Sequence, residues 1–189
     1  NAVNGLGLPA ERVYTEARRA FENHEADFAI IVVPPAFHEE MVDLALEHGC
    51  HILSEKPISD TMEASVRIYD KVRRAGKKMA ITMSHRFDQD KQTMEGLLRS
   101  GQYGQLNYLV ARFTHQCRHY PSWGAFRYRM PDPLLIEGSV HHFDILRSFA
   151  NANAKTVFAA TWNPPWSEFQ GDSTGLVYVE MENGVRAFY

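Results

Sequence analysis

Four side chains have the types and spacing needed to move a proton and steady a developing negative charge: Lys56, Glu137, His141 and Asp144. Lys56 stands in Glu55-Lys56-Pro57, directly after the short apolar run His51-Ile52-Leu53-Ser54. A lysine leaving the C-terminal end of a buried strand points into the crevice where open α/β sheets bind ligands. There its positive charge favours negative charge developing on an oxygen of a bound ligand. Glu137 and His141 are four residues apart, so on a helix they share one face. A carboxylate beside an imidazole fixes its tautomer and raises its basicity. Asp144 lies a further turn along that face and could orient the ring or hydrogen-bond a substrate. His142 projects ~100° away from His141, and the doublet leaves open which ring is the base. Each feature also has a plain reading: a surface lysine, acidic residues near the positive end of a helix, and a histidine in a polar cleft wall.

The elements that position these groups follow from patterning. Thr15 can cap a helix running to about Glu25. Phe28-Ala29-Ile30-Ile31-Val32-Val33 is continuously apolar and β-branched, as suits a parallel strand covered on both faces. Met41 to Leu46 has helical spacing, and Gly49 is placed to end that helix. His51–Ser54 is the next strand, Ser59 or Asp60 caps a helix through Arg74, and Met79–Met83 is a third strand. Strand, helix, strand, helix, strand predicts a doubly wound parallel sheet. After Ser84-His85-Arg86-Phe87 the organisation changes. A polar helix is expected from about Gln89 to Ser100, a longer strand over Leu106–Thr114 and a helix from Glu137 to Ala150. Strands are expected over Thr156–Trp162 and Gly175–Met181, with Asn183-Gly184 turning into Val185–Tyr189 as a tight hairpin. The fold class is therefore α/β: a partial Rossmann domain over 1–84, then an α/β domain with an open, mostly antiparallel sheet over 85–189.

Two constellations compete for attention. Gly5-Leu6-Gly7-Leu8-Pro9-Ala10 has the letters of a dinucleotide fingerprint, which works only as the turn between a strand and a helix. Only Asn1-Ala2-Val3-Asn4 precede it, too short and polar for a central strand. His115, Cys117 and His119 alternate and would face one side of a strand. Imidazole and thiolate are good zinc ligands, but the spacing is no usual zinc signature. The reading adopted needs no metal ligand.

The run from Asp27 to Pro57 and the block Leu135-Ile136-Glu137-Gly138-Ser139-Val140-His141-His142-Phe143-Asp144 together resemble the Gfo/Idh/MocA family of oxidoreductases, named for glucose–fructose oxidoreductase, myo-inositol dehydrogenase and MocA-type proteins. The first run follows that family's order of strand, proline turn, histidine, helix, Gly-x-His strand and Glu-Lys-Pro. The second resembles the start of its catalytic helix. The resemblance implies NAD or NADP as cofactor and a sugar, cyclitol or related polyol as substrate. It places Val33, Pro34, Pro35, His38, Glu55, Lys56, Pro57, Ser84 and Arg86 against the cofactor. Lys56 and His141 would contact substrate, and Lys56, His141, Glu137 and Asp144 would carry the chemistry. Glu137 stands where the pattern has aspartate, so it reaches one methylene further. Ser84 and His85 replace the first two residues of the usual Asn-Arg-Arg-Phe, while Arg86 and Phe87 match.

Trp123 and Arg127 belong to an aromatic and arginine-rich loop, Arg118 to Met130. Such a loop suits a polyhydroxylated ligand and equally an oligomer contact. Asn163-Pro164-Pro165-Trp166 is similar. A homo-oligomer, dimer or tetramer, is expected. Two alternatives stand beside the dehydrogenase: a non-catalytic interaction protein built on a dehydrogenase remnant, and a metal-dependent hydrolase.

Composition narrows the rest. The chain has 189 residues, an apolar fraction of 44% and a formal net charge of -3, which gives no reason to propose nucleic acid or an anionic membrane as partner. No apolar run approaches the length that spans a bilayer. Two cysteines make no disulfide framework, and a reducing cytoplasm is the default. With a glycine turn lacking and the last strand edge unpaired, the 189 residues are expected to be part of a longer protein.

Overall fold

The computed structural model describes Gly5, residues 7–114 and residues 124–189. The chain divides into two compact units, Asn1–Thr82 and Met83–Tyr189.

The first unit is a three-stranded parallel sheet in the order β1 (Phe28–Ile31), β2 (His51–Ser54), β3 (Met79–Ile81). The register pairs Phe28 with His51 and Ile31 with Ser54, then Ile52 with Met79 and Ser54 with Ile81. Helix α1 (Ala17–Asn23) precedes the sheet, and α2 (His38–Glu47) and α3 (Met62–Arg74) join its strands. Ile31, Val42, Ala45, Cys50, Ile52, Ile68 and Val72 form one core cluster between the strands and these helices. Gly49 ends α2 with φ +72°, a left-handed turn that costs glycine nothing sterically.

Three expectations change here. The N-cap of α1 is Glu16, not Thr15. The cap of α3 is Thr61, whose hydroxyl accepts from the Ala64 amide at 3.2 Å, not Ser59 or Asp60. Ser59 instead donates to the Asp60 carboxylate at 3.1 Å. The apolar run of β1 is not covered on both faces: Phe28, Ile30 and Val32 are exposed while Ile31 is buried. A period of two sends alternate side chains to opposite faces, and among the described residues the helices cover only one.

The second unit is a four-stranded sheet in the order β4 (Tyr108–Val110), β7 (Arg186–Phe188), β6 (Thr174–Met181), β5 (Ala154–Trp162). β4 pairs parallel with β7, and the other two pairings are antiparallel. Helix α4 (Gln89–Arg99), the short α5 (Phe126–Arg129) and α6 (Val140–Ala150) complete it. Leu146 and Ala150 of α6 pack on Val177, Val179, Met181, Val185 and Ala187. The other face is open. Val110, Phe188, Tyr178 and Phe158 follow one another across it in register, with Val110 70% and Phe158 73% exposed.

β4 is much shorter than the expected Leu106–Thr114. The expected helix from Glu137 to Ala150 is also not one helix. Pro133–Gly138 is a π-helical turn, and α6 begins only at Val140. The Ser139 amide reaches back to the Leu134 carbonyl at 2.7 Å, the wider π spacing. Glu137 therefore does not share an α-helical face with His141. The β5–β6 connection grips the chain just ahead of this turn: the Gln170 amide donates to the Tyr128 carbonyl at 2.9 Å. A Cβ on Gly171 would lie 1.7 Å from the Pro131 carbonyl oxygen, so only glycine fits there.

Candidate active-site residues

In the first unit the parallel sheet gathers the ends of its strands on one edge. The turn after β1, Val33-Pro34-Pro35, and the segment after β2, Glu55-Lys56-Pro57, both lie there. The Glu55 amide donates to the Ile31 carbonyl at 2.9 Å, which carries the β1–β2 ladder one step past the strand. Lys56 follows, half-buried, joined to a buried Pro57 by a cis peptide. His38 holds the two turns together. It is fully buried, with Nε2 2.9 Å from the Val33 carbonyl and Nδ1 3.2 Å from the Ile58 carbonyl. A buried polar ring is costly to disturb, and this one, donating to one carbonyl and lying against the other, links the turn after β1 to the backbone two residues past Lys56. It does so from inside the edge.

The residues of this edge fit the ribose and nicotinamide end of a dinucleotide: a lysine on a rigid backbone at the carboxyl ends of parallel strands. A pyrophosphate needs a glycine turn between a strand and a helix. Neither strand-to-helix connection of this unit, 32–37 or 55–61, contains glycine. Gly7 precedes a 3₁₀ turn, Ala10–Arg12, and β1 comes only later, so it is in no strand-to-helix turn among the described residues.

In the second unit the candidate side chains gather at the start of α6. His141 is 7% exposed, and its ring stacks on that of His85, centroids 4.0 Å apart and planes 14° from parallel. The Asp144 carboxylate, one turn on, receives two hydrogen bonds from Arg86: Nε to Oδ2 at 2.8 Å, and Nη2 to Oδ1. The carboxylate hydrogen bonds and the nearby charge hold the Arg86 guanidinium above its ordinary pKa. Asp144, expected to orient the ring or hydrogen-bond a substrate, is thus engaged by a cation in the structure. Glu137 accepts from Arg127 Nε at 2.9 Å, so Arg127 of the aromatic loop is bound to the turn ahead of α6. Trp123, and the alternating His115, Cys117 and His119, lie outside the described residues. Ser84 is exposed, at the head of the 3₁₀ turn Ser84–Phe87.

The histidine doublet is divided by its neighbours. His142 Nδ1 lies 2.9 Å from the Tyr189 hydroxyl, which also meets the Ser139 hydroxyl at 2.8 Å. Burial lowers the His142 pKa, helped by the coulombic influence of the neighbouring His85 and Lys91. Burial raises that of Tyr189, against a smaller opposing effect of the Ser139 hydrogen bond. Sequence reasoning missed Tyr189 and Ser139. Alternation in the last strand puts Val185, Ala187 and Tyr189 on one face, but nothing in it says which helix that face meets.

The family comparison agrees with these two halves. Residues 3–83 match the model of an oxidoreductase family with an NAD-binding Rossmann fold, and residues 91–189 match the Gfo/Idh/MocA C-terminal domain. An uncharacterised protein of Sinorhizobium fredii, y4oX, is 51% identical over 184 residues, covering 97% of this chain and 51% of its own length. An inositol 2-dehydrogenase of Corynebacterium glutamicum strain R is 30% identical over 188 residues, covering 97% of this chain and 53% of its own. The chain spans about half the length of these curated relatives. Among solved structures, an oxidoreductase from Agrobacterium radiobacter, crystallised with NAD+, L-tartaric acid and magnesium, superposes with TM-score 0.86 at 19% identity. The superposition covers 98% of this chain and 53% of that one and speaks to the fold. With both domain models matched in order along the sequence, the chain belongs to the Gfo/Idh/MocA family of oxidoreductases.

Proposed function

We propose that the protein transfers hydride between NAD or NADP and a secondary alcohol of a sugar, cyclitol or related polyol. The observation that carries this reading is Lys56 on the ligand-binding edge of a parallel sheet, its backbone braced by His38. The family description supports the dinucleotide, and the inositol 2-dehydrogenase relative supports the substrate class. The nicotinamide, when bound, takes up the hydride. Lys56 holds the ribose and the reacting hydroxyl, stabilising negative charge as it develops on that oxygen. His141 takes the hydroxyl proton at an imidazole nitrogen. His142, tied to Tyr189, is structural. Arg127 contacts the polyol, and Arg86 braces α6 through Asp144.

The open face of the second sheet supports a homo-oligomer, with Val110 and Phe158 among its exposed apolar residues. Contiguous apolar surface of this kind is a common mark of association. Phe158→Glu is expected to lower the mass seen by light scattering; an unchanged mass would remove that face from the interface. A reducing compartment suits Cys50, a buried free thiol that donates to the Ala26 carbonyl at 3.1 Å. Among the described residues no helix is long and apolar enough to cross a membrane.

The activity test is NAD(H) absorbance change against a panel of polyols and sugars, with Lys56→Ala and His141→Ala beside the parent. Each substitution is expected to cost roughly 10²–10⁴ in turnover, the range for a general base, with circular dichroism unchanged. Turnover close to the parent in either variant would remove that residue from the chemistry. No turnover with any member of the panel would favour the interaction-protein reading.

A further inference from the structure

His85 has the geometry of a residue that acts through another. It sits in the 3₁₀ turn Ser84–Phe87, where its carbonyl accepts from the Asp88 amide at 3.3 Å. The turn is fastened to both neighbouring helices. Arg86 grips Asp144 of α6 through Nε at 2.8 Å, and Gln92 of α4 donates to the Arg86 carbonyl at 2.7 Å. From this fixed base the His85 ring lies almost flat on His141, while it meets His142 obliquely, 6.2 Å away at 38°. His141 therefore lies one turn from the Arg86–Asp144 clamp on the same helix, and its ring plane is set by a partner on the clamped segment.

Ring plane matters because a general base must aim a nitrogen lone pair at a proton within about 2.6–3.2 Å. A rotation about the terminal imidazole torsion, which is broad and soft when nothing packs on the ring, moves both nitrogens off that line. A misplacement of about 1 Å can cost on the order of 10²-fold. A flat contact on one face of the ring removes this freedom and leaves the ring edge, which carries the nitrogens, outside the stack; Nδ1 is itself buried.

We propose that His85 is a positioning residue for His141, fixing the plane of the catalytic imidazole by stacking. The inference rests on the reading of His141 as the base. What the stack requires is a flat ring at position 85, not a proton donor or acceptor.

Three variants separate these roles in the active protein: His85→Ala, His85→Phe and His141→Ala. His85→Ala is expected to lower kcat roughly ten- to a hundredfold with KM little changed, because binding is left intact and aim is lost. His85→Phe keeps a flat ring and is expected to restore kcat to within a few-fold of the parent. NMR of histidine-labelled chain gives a readout independent of turnover. The His141 ring protons are expected to carry a ring-current shift in the parent and in His85→Phe, and to lose it in His85→Ala. Loss of that shift with kcat unchanged would overturn the proposal. So would a His85→Phe variant as slow as His85→Ala, since the nitrogens rather than the stack would then matter. If His141→Ala keeps full turnover, the assignment of the base fails, while the ring-current comparison still reports whether the stack exists.

Discussion

Arg86 and Asp144 are joined by a two-point ion pair across 58 residues of sequence, Nε to Oδ2 at 2.8 Å and Nη2 to Oδ1. It ties the turn that opens the second unit to the helix that carries His141. Asp144 is 13% exposed and Arg86 37% exposed, so the carboxylate has exchanged most of its water for the guanidinium. Parallel N–H···O bonds of this kind are among the stronger polar contacts.

Asp144→Ala is therefore expected to destabilise the chain by about 2 kcal/mol. That is less than the roughly 3–5 kcal/mol for breaking a fully buried pair, because Arg86 can recover solvent. Chemical denaturation of the parent, Asp144→Ala and Asp144→Asn checks it. A loss below about 0.5 kcal/mol, the usual range for surface changes, would show that the pair is an ordinary surface contact.

His142 makes stability depend on pH. Its folded pKa is depressed, chiefly by burial, so the neutral ring's contribution is fully present above the usual imidazole value of ~6.5. It is lost as pH falls through the lower folded value. His142→Gln is expected to flatten the acid-side fall in denaturation midpoint across that window. A slope identical to the parent's would contradict the burial assigned to this ring. Tyr189→Phe, which removes a hydroxyl shared by Ser139 and His142, is expected to cost about 1–3 kcal/mol through the buried Ser139 oxygen left behind.

Glu39 acts in the same direction at lower pH. Hydrogen bonds from Arg67 and then Lys71 pull its pKa down to about 2. The contribution is present above the usual carboxylate value of ~4.3 and fades as pH falls toward about 2. Glu39→Gln is expected to remove this part of the acid sensitivity, with the difference between variant and parent largest at neutral pH and shrinking in acid. A constant offset at every pH would assign the loss to packing instead.

Gly171→Ala tests the grip on the chain just ahead of the π turn. The added methyl would meet the Pro131 carbonyl oxygen at 1.7 Å, a clash relieved only by moving backbone. Overpacking typically costs about 1–3 kcal/mol. The variant is expected to melt earlier, and the Arg127–Glu137 contact beside that turn is expected to loosen with it. A melting temperature equal to the parent's would mean that the β5–β6 connection does not bear on this turn.

Local patterns in the sequence determined the elements and the family. Continuous apolar β-branched runs made the parallel strands, glycines at 49, 76 and 101 marked helix ends with φ of +72°, +64° and +71°, and Asn183-Gly184 marked the last hairpin. Those signals are short-range, and short-range sterics decide them. The sequence also brought forward Lys56 and His141, because residue type and the end of a strand or start of a helix are both legible in one dimension. What each side chain touches was decided by tertiary structure. Spacing of four suggested Glu137 as the partner of His141; the structure adds a π turn ahead of α6 and gives Glu137 a second neighbour in Arg127. Asp144 was read as orienting the ring or hydrogen-bonding a substrate, and the structure gives it a partner that spacing did not announce, Arg86, 58 residues away. Tyr189 and Ser139 meet His142 only because a strand at the end of the chain lies under α6. Such pairings depend on long-range packing of faces, which periodicity announces without naming the partner.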